Sequence, residues 1–241
     1  MSTTLCFDFG NTRLKCAVFN DRNLTELIVL NDCSVDEVNR LIQQYHPTHA
    51  ILSSVINHLV EIEKLLEEKT LFHKLSHESK LPITSPVAKP ESIGADRLAI
   101  CSAATSLFPD NHNLVIGLGS CITYNFINKA HEFIGGSISP GMNMRFKSMN
   151  EQTAKLPPII PEHIFPLIGY DTKTNLLSGV IIGIAKEIDG FIDEYKERYD
   201  NLKVILTGGD MNFFIPHLKN EVIADPYLLY WGLLSINEMN N

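Results

Sequence analysis

The sequence predicts an α/β protein built from two similar halves, and three observations predict it. A strand, a glycine-bearing polar turn and a second strand occupy Leu5–Val18, LCFDFGNTRLKCAV, and a like unit returns at Leu114–Ile127. Other strand-like runs alternate with segments whose apolar residues recur at helical spacing. A chain of 241 residues can bury a sizeable core, as one large domain or two small ones.

The first turn carries chemistry-bearing residues. Gly10 lets a turn bring backbone N–H groups close to a phosphate, Asn11 and Thr12 can donate hydrogen bonds, and Lys15 can offset oxygen charge. Asp8 suits Mg²⁺, a hard cation that takes few carboxylates plus substrate oxygens. The competing reading is a hairpin with a solvated polar tip. Asp8-Phe9-Gly10 also matches the metal-binding DFG of protein kinases, but no Gly-rich loop, strand lysine or HRD loop precedes it here.

Three strands open the chain, Thr4–Phe9, Leu14–Phe19 and Leu24–Leu30, with Asn20–Asn23 as the second turn. Ser34-Val35-Asp36-Glu37 has capping-box form and starts a helix with Val35, Val38, Leu41, Ile42 and Tyr45 on one face; His46-Pro47 ends it. Ala50–Val55 is a buried strand, and Asn57 is the expected cap of a helix bearing Leu59, Ile62, Leu65 and Leu66. Three prolines make Lys80–Pro90 an irregular loop before a helix from about Ile93 to Phe108. The pattern restarts at Asn113: Leu114–Leu118, then Gly119-Ser120-Cys121, then Ile122–Ile127. Asp8 falls on Gly117, an offset of 109 residues and close to half the chain, as an internal duplication would give. Gly135–Gly141 and the span to Pro166 read as loops, Thr172–Tyr199 as a long helix with an apolar face, Leu202–Leu206 as a strand ending in Thr207-Gly208-Gly209-Asp210, and Pro226–Asn237 as the last helix. The domains expected are 1–112 and 113–241.

Composition excludes some functions. Hydrophobic content of 44% and charged content of 20% are ordinary for a soluble globular protein. A net charge of −8 argues against non-specific nucleic-acid binding, so an anionic substrate needs locally placed cations. The five cysteines form no CxxC pair and several fall in apolar patterns, as reduced core thiols of a cytoplasmic protein do. No basic-then-apolar signal and no run of transmembrane length is present, so no membrane partner is expected. The nine histidines form no ligand-spaced cluster.

Two halves that each begin with three strands and end in helices describe the fold shared by actin, Hsp70 and sugar kinases. This fold is duplicated actin-like (ribonuclease H-like) domains with a nucleotide cleft between them. A Rossmann fold competes, but neither glycine turn leads into a helix. The chain resembles the type III pantothenate kinases over nearly its whole length. The resemblance rests on Asp8-Phe9-Gly10-Asn11-Thr12 with Lys15, on Gly94-Ala95-Asp96-Arg97, and on Gly135–Gly141 followed by Thr153–Pro157. It rests also on Gly169–Thr172 with Ser178-Gly179 and on Thr207–Asp210.

The resemblance implies transfer of the ATP γ-phosphoryl group to pantothenate, the first committed step towards coenzyme A. It assigns Mg²⁺ to Asp8 and phosphate contacts to Gly10, Asn11, Thr12 and Lys15, with Gly119 and Ser120 as a second phosphate turn. Gly208 and Gly209 would approach the adenosine, and the glycines of Gly135–Gly141 would shape a loop beneath the phosphates. Asp96 would accept the hydroxyl proton, and Arg97 would anchor substrate or the transferring phosphate. Gly94, Ala95 and Thr172 would complete the pantothenate site, although Thr172 reads equally well as a plain helix N-cap. Asp96, beside Arg97 in a helix's first turn, is expected to stay ionised. An activating monovalent cation (K⁺ or NH₄⁺) and a homodimer that completes the pantothenate pocket also follow from the family.

The second turn departs from the family's DxGTAxTxD: Gly117 and Asn125 stand where it has aspartates. An active kinase, a catalytically impaired binding or regulatory relative, and another small-molecule kinase therefore stay open.

Overall fold

Strand β1 (Thr3–Phe9) is buried on both faces: Leu5, Phe7 and Phe9 enter one core and Cys6 enters another. The computed structural model describes residues 2–241. After β1 come β2 (Leu14–Asn20), β3 (Asn23–Val29), α1 (Val35–Tyr45), β4 (His49–Ser54), α2 (Val60–Lys69), β5 (Leu71–Lys74) and α3 (Ala95–Leu107). The second run is β6 (His112–Leu118), β7 (Cys121–Ile127), β8 (Phe133–Pro140), α4 (Met142–Glu151), α5 (Thr172–Leu177), α6 (Gly183–Arg198), β9 (Leu202–Thr207), α7 (Met211–Phe214), β10 (Ile223–Ala224) and α8 (Leu228–Asn240).

The two sheets share one topology, with orders β3-β2-β1-β4-β5 and β10-β9-β6-β7-β8. In each, the founding strand pairs antiparallel with the next strand and parallel with the strand that follows a helix. The 109-residue offset that relates Asp8 to Gly117 also relates both ends of β1 to both ends of β6. Four residues link β1 to β2, but Gly119 and Ser120 alone link β6 to β7, so the second turn is two residues shorter.

The chain forms two compact units. Unit 1 holds the chain up to Pro109, residues 131–133 and Tyr227–Asn241; unit 2 holds Asp110–Ala130 and Ile134–Pro226. The expected division at 112/113 lies beside the first crossing, and α8 packs back into unit 1 against α3, β4 and β1. The reason is steric as well as hydrophobic. Gly232 of α8 lies so close to α3 that a Cβ there would stand 2.0 Å from the Ala99 carbonyl oxygen, while Tyr230, Leu233 and Ile236 complete an apolar cluster with Cys6, Ala17 and Ile51.

Helix starts follow local chemistry. Ser34 Oγ accepts the Glu37 N–H at 3.1 Å, but the Glu37 carboxylate turns to Asn31 and Arg40 rather than closing a capping box. Helix α2 begins after Leu59 with no side-chain cap, so Asn57 does not serve, and Leu59 is exposed. Asp171, not Thr172, caps α5, in a full capping box with Thr174. One π-helical turn, Ser178–Ile182, joins α5 to α6, so the expected long helix runs unbroken. Two further expectations fail. Gly135–Pro140 is strand rather than loop, because Gly136 lets β8 lie against the Tyr124 carbonyl of β7, where a Cβ would meet that oxygen at 1.7 Å. Part of the supposed loop after it is α4, which buries Met142 and Phe146.

Gly232→Val is expected to lower stability by at least about 3 kcal/mol, since backbone atoms block the new side chain. Thermal unfolding measures it, and a wild-type Tm would refute the tight α3–α8 contact.

Candidate functional site

Three strands of unit 1 bring one polar row together. Lys15 pairs with Asp8 across β2 and β1, and Asp8 pairs with Ser53 across β1 and β4. Paired residues share a face. This is the face of Cys6, Ala17 and Ile51, which α3 and α8 cover. Burial pushes the Asp8 carboxyl up to about 7; the Lys15 charge pulls it down and the Asp96 charge pushes it up again. Asp8 and Asp96 therefore lie within electrostatic reach, although 88 positions separate them in the chain. Asn11 and Thr12 are exposed on the connecting turn, and a Cβ at Gly10 would press on the Arg13 carbonyl at 3.2 Å.

Asp96 sits in the first turn of α3. A Cβ at Gly94 would come within 2.5 Å of Asp96 Oδ1, so the glycine makes room for the carboxylate to fold back over the helix start. The Arg97 N–H donates to Asp96 Oδ1 at 2.9 Å. Burial raises the Asp96 pKa, outweighing that N–H and the Arg97 charge. A half-buried acid whose pKa is raised is a stronger base once ionised. The Arg97 guanidinium lies 5.5 Å from the centroid of the Phe133 ring.

In unit 2, three glycine segments converge on the second turn. Gly119 N–H closes that turn onto the Cys121 carbonyl at 3.1 Å, and Gly141 N–H donates to the Ser120 carbonyl at 3.0 Å. A Cβ on Gly141 would lie 2.1 Å from the Gly119 oxygen. Gly208 has φ +102°, and a Cβ there would meet the Leu118 oxygen at 2.2 Å, so only glycine serves. Gly209 is exposed with open space around it.

The equivalent of the Lys15–Asp8–Ser53 row is Thr123–Gly117–Thr207, with no charged group. Asn125 is fully buried, and its amide donates to the Val115 carbonyl at 3.0 Å and to Thr123 Oγ1 at 3.1 Å. Thr172 is exposed at the start of α5.

Sequence reasoning missed Glu187, which accepts from Ser139, Tyr124 and Arg145. Burial alone would raise its pKa, but those hydrogen bonds and the Arg145 charge hold it below the usual value. Its sequence setting, one carboxylate among the several charges of α6, carried no distinguishing signal. No group of three or more metal-ligating side chains occurs among the described residues, nor does a helix long and apolar enough to cross a membrane.

Two units of one topology, each with a glycine turn between its first two strands, make up the fold that actin-like ATPases and sugar kinases share. The likeness extends to a Baf family protein of Campylobacter jejuni (TM-score 0.65, 22% identity, 98% of each chain covered). It extends also to component A of (R)-2-hydroxyglutaryl-CoA dehydratase of Acidaminococcus fermentans (TM-score 0.53, 13% identity, 98% and 96% covered). The type III pantothenate kinase model matches residues 4–194, and the chain belongs to that family. Type III pantothenate kinases of Phocaeicola vulgatus (38% identical, 98% of each chain covered) and Flavobacterium johnsoniae (35%, 95% of each) are among its relatives.

The raised Asp8 pKa has a pH consequence. The folded state holds a proton that the unfolded chain has already released between about pH 4 and 7, so stability falls as pH rises through that window. Asp8→Asn is expected to raise Tm by about 3 °C or more at pH 8 and to leave it near wild type at pH 4. Equal Tm differences at both pH values would remove the buried charge as the cause.

Proposed function

We propose that the protein transfers the γ-phosphoryl group of ATP to pantothenate, giving 4′-phosphopantothenate, the first step of coenzyme A biosynthesis. Membership of the family over nearly the whole chain, with Asp8 and Asp96 brought within electrostatic reach, carries this reading. Phosphoryl transfer asks a protein chiefly to position groups and to stabilise spreading negative charge. Asp96 takes the proton from the pantothenate hydroxyl, and Arg97 holds the substrate or the transferring phosphate beside it. Asn11 and Thr12 donate to phosphate oxygens, and Lys15 offsets their charge. Gly10, Gly119 and Ser120 shape the phosphate turns, and Gly208 and Gly209 leave room for adenosine. Gly94, Ala95 and Thr172 contact pantothenate.

The donor set fits Mg²⁺. One part-buried carboxylate with a second within electrostatic reach, and no cage of three or more ligands among the described residues, suits an ion that takes its other oxygens from substrate and water. Asp8 would hold it, and when bound it neutralises phosphate charge. The monovalent cation expected from the family is a different case. Gly117 offers no side chain and the Asn125 amide is committed within the sheet, so no charged ligand stands at either position and no step runs through that ion. A catalytically impaired binding protein is not favoured, because Asp8, Lys15, Asp96 and Arg97 are all retained. We place the protein in the cytoplasm, where its five free thiols stay reduced.

A homodimer is part of the proposal. Ile160, Ile164, Leu167, Ile168 and Tyr170 form an exposed apolar run just before α5, and Ile164 is 91% exposed. Such a run marks an interaction surface. Light scattering is expected to give twice the chain mass, and Ile164→Asp with Ile168→Asp to give the monomer; a monomeric wild type would remove this element.

In a coupled assay with pantothenate and ATP, Asp96→Asn is expected to lower kcat by at least ~10² with little change in KM. Full activity in that variant would strip Asp96 of its role. Binding of both substrates by the wild type without product would reinstate the impaired reading.

A further inference from the structure

Two buried hydroxyls beside Asp8 have no use in the reaction as derived. Ser53 is 1% exposed and is the cross-strand partner of Asp8. Its Oγ has no hydrogen-bond partner among the described residues. Tyr230 is 2% exposed and descends from α8 onto the same sheet face, among Cys6, Ala17 and Ile51, and its hydroxyl also has no partner among the described residues. Cys6 stands two residues before Asp8 on β1, so Tyr230 covers the face of the sheet that carries Asp8.

Folding does not leave buried hydroxyls unpaired without consequence, since each forgoes the hydrogen bonds that water gave it. Ser53 and Tyr230 are among several buried polar groups without a protein partner, and a bound ligand or its water can supply the partner that these two lack. A cation held by Asp8 brings water molecules with it, because Mg²⁺ dehydrates reluctantly and keeps several of its waters. Outer-shell groups of this kind orient the ligating carboxylate and set metal affinity. We infer that Ser53 and Tyr230 are positioning residues for the divalent cation: their hydroxyls flank Asp8 and bond either its carboxylate or a cation-bound water, and so fix the geometry in which Asp8 binds the metal. The inference rests on the assignment of Asp8 as the metal ligand and extends it to two residues that touch neither substrate nor reacting atoms.

The test is Mn²⁺ binding, followed by electron paramagnetic resonance, to the full-length protein with a non-hydrolysable ATP analogue. It compares wild type, Ser53→Ala, Tyr230→Phe and Asp8→Asn. Each hydroxyl variant is expected to weaken Mn²⁺ binding at least ~10-fold. Its Tm should hold or rise, because an unpartnered hydroxyl has been deleted. In steady-state assays the Mg²⁺ concentration for half-maximal rate should rise while kcat at saturating Mg²⁺ stays near wild type, a split that a purely structural role would not produce. Wild-type Mn²⁺ affinity in either hydroxyl variant removes that residue from the site, and in both it overturns the inference. Wild-type affinity in Asp8→Asn overturns instead the assignment on which the inference rests.

Discussion

A part-buried carboxylate near the end of a central strand is the constraint on which this structure turns. Asp8 follows Phe7 in a strand whose other members are almost all core residues, and α3 and α8 cover its face of the sheet. Burial of an ionised acid is costly unless charge or hydrogen bonds compensate it, and here burial dominates the Asp8 pKa. Lys15 offsets part of that cost from the neighbouring strand, while Asp96 adds to it from α3. The fold therefore holds a destabilised acid, as functional sites commonly trade stability for chemistry.

The rest of unit 1 serves that placement. Gly94 frees the space into which the Asp96 carboxylate folds, and Gly232 lets α8 lie against α3 closely enough to roof the row. Both glycines act through close approach rather than through unusual backbone angles, and neither has a role that its immediate sequence neighbours reveal.

Duplication followed by divergence explains the contrast between the units. Their sheets have the same strand order and the same pairing senses. Where unit 1 places Lys15, Asp8 and Ser53 in one row, unit 2 places Thr123, Gly117 and Thr207. Unit 2 has put its conformational specialisation into the turn instead, where Gly119, Gly141 and Gly208 pack backbone on backbone. One unit supplies charge and the other supplies close-packed peptide groups.

By itself the sequence determined the strand–turn–strand units, their 109-residue repeat, the amphipathic helices and the chemistry-bearing residues of the first turn, because these depend on local periodicity and side-chain type. Strand β8 was read as loop because its glycines signal a break locally, whereas Gly136 lets β8 approach Tyr124. The short strands β5 and β10 carry too few residues for a periodic signal and exist only because a neighbouring parallel strand accepts them. Tertiary structure alone decided that α8 returns to unit 1, that Asp96 reaches Asp8, and that Ser53 and Tyr230 bring hydroxyls to the same face. Each of these joins residues far apart in the chain, and such contacts are fixed by packing over the whole domain rather than by any window of neighbours.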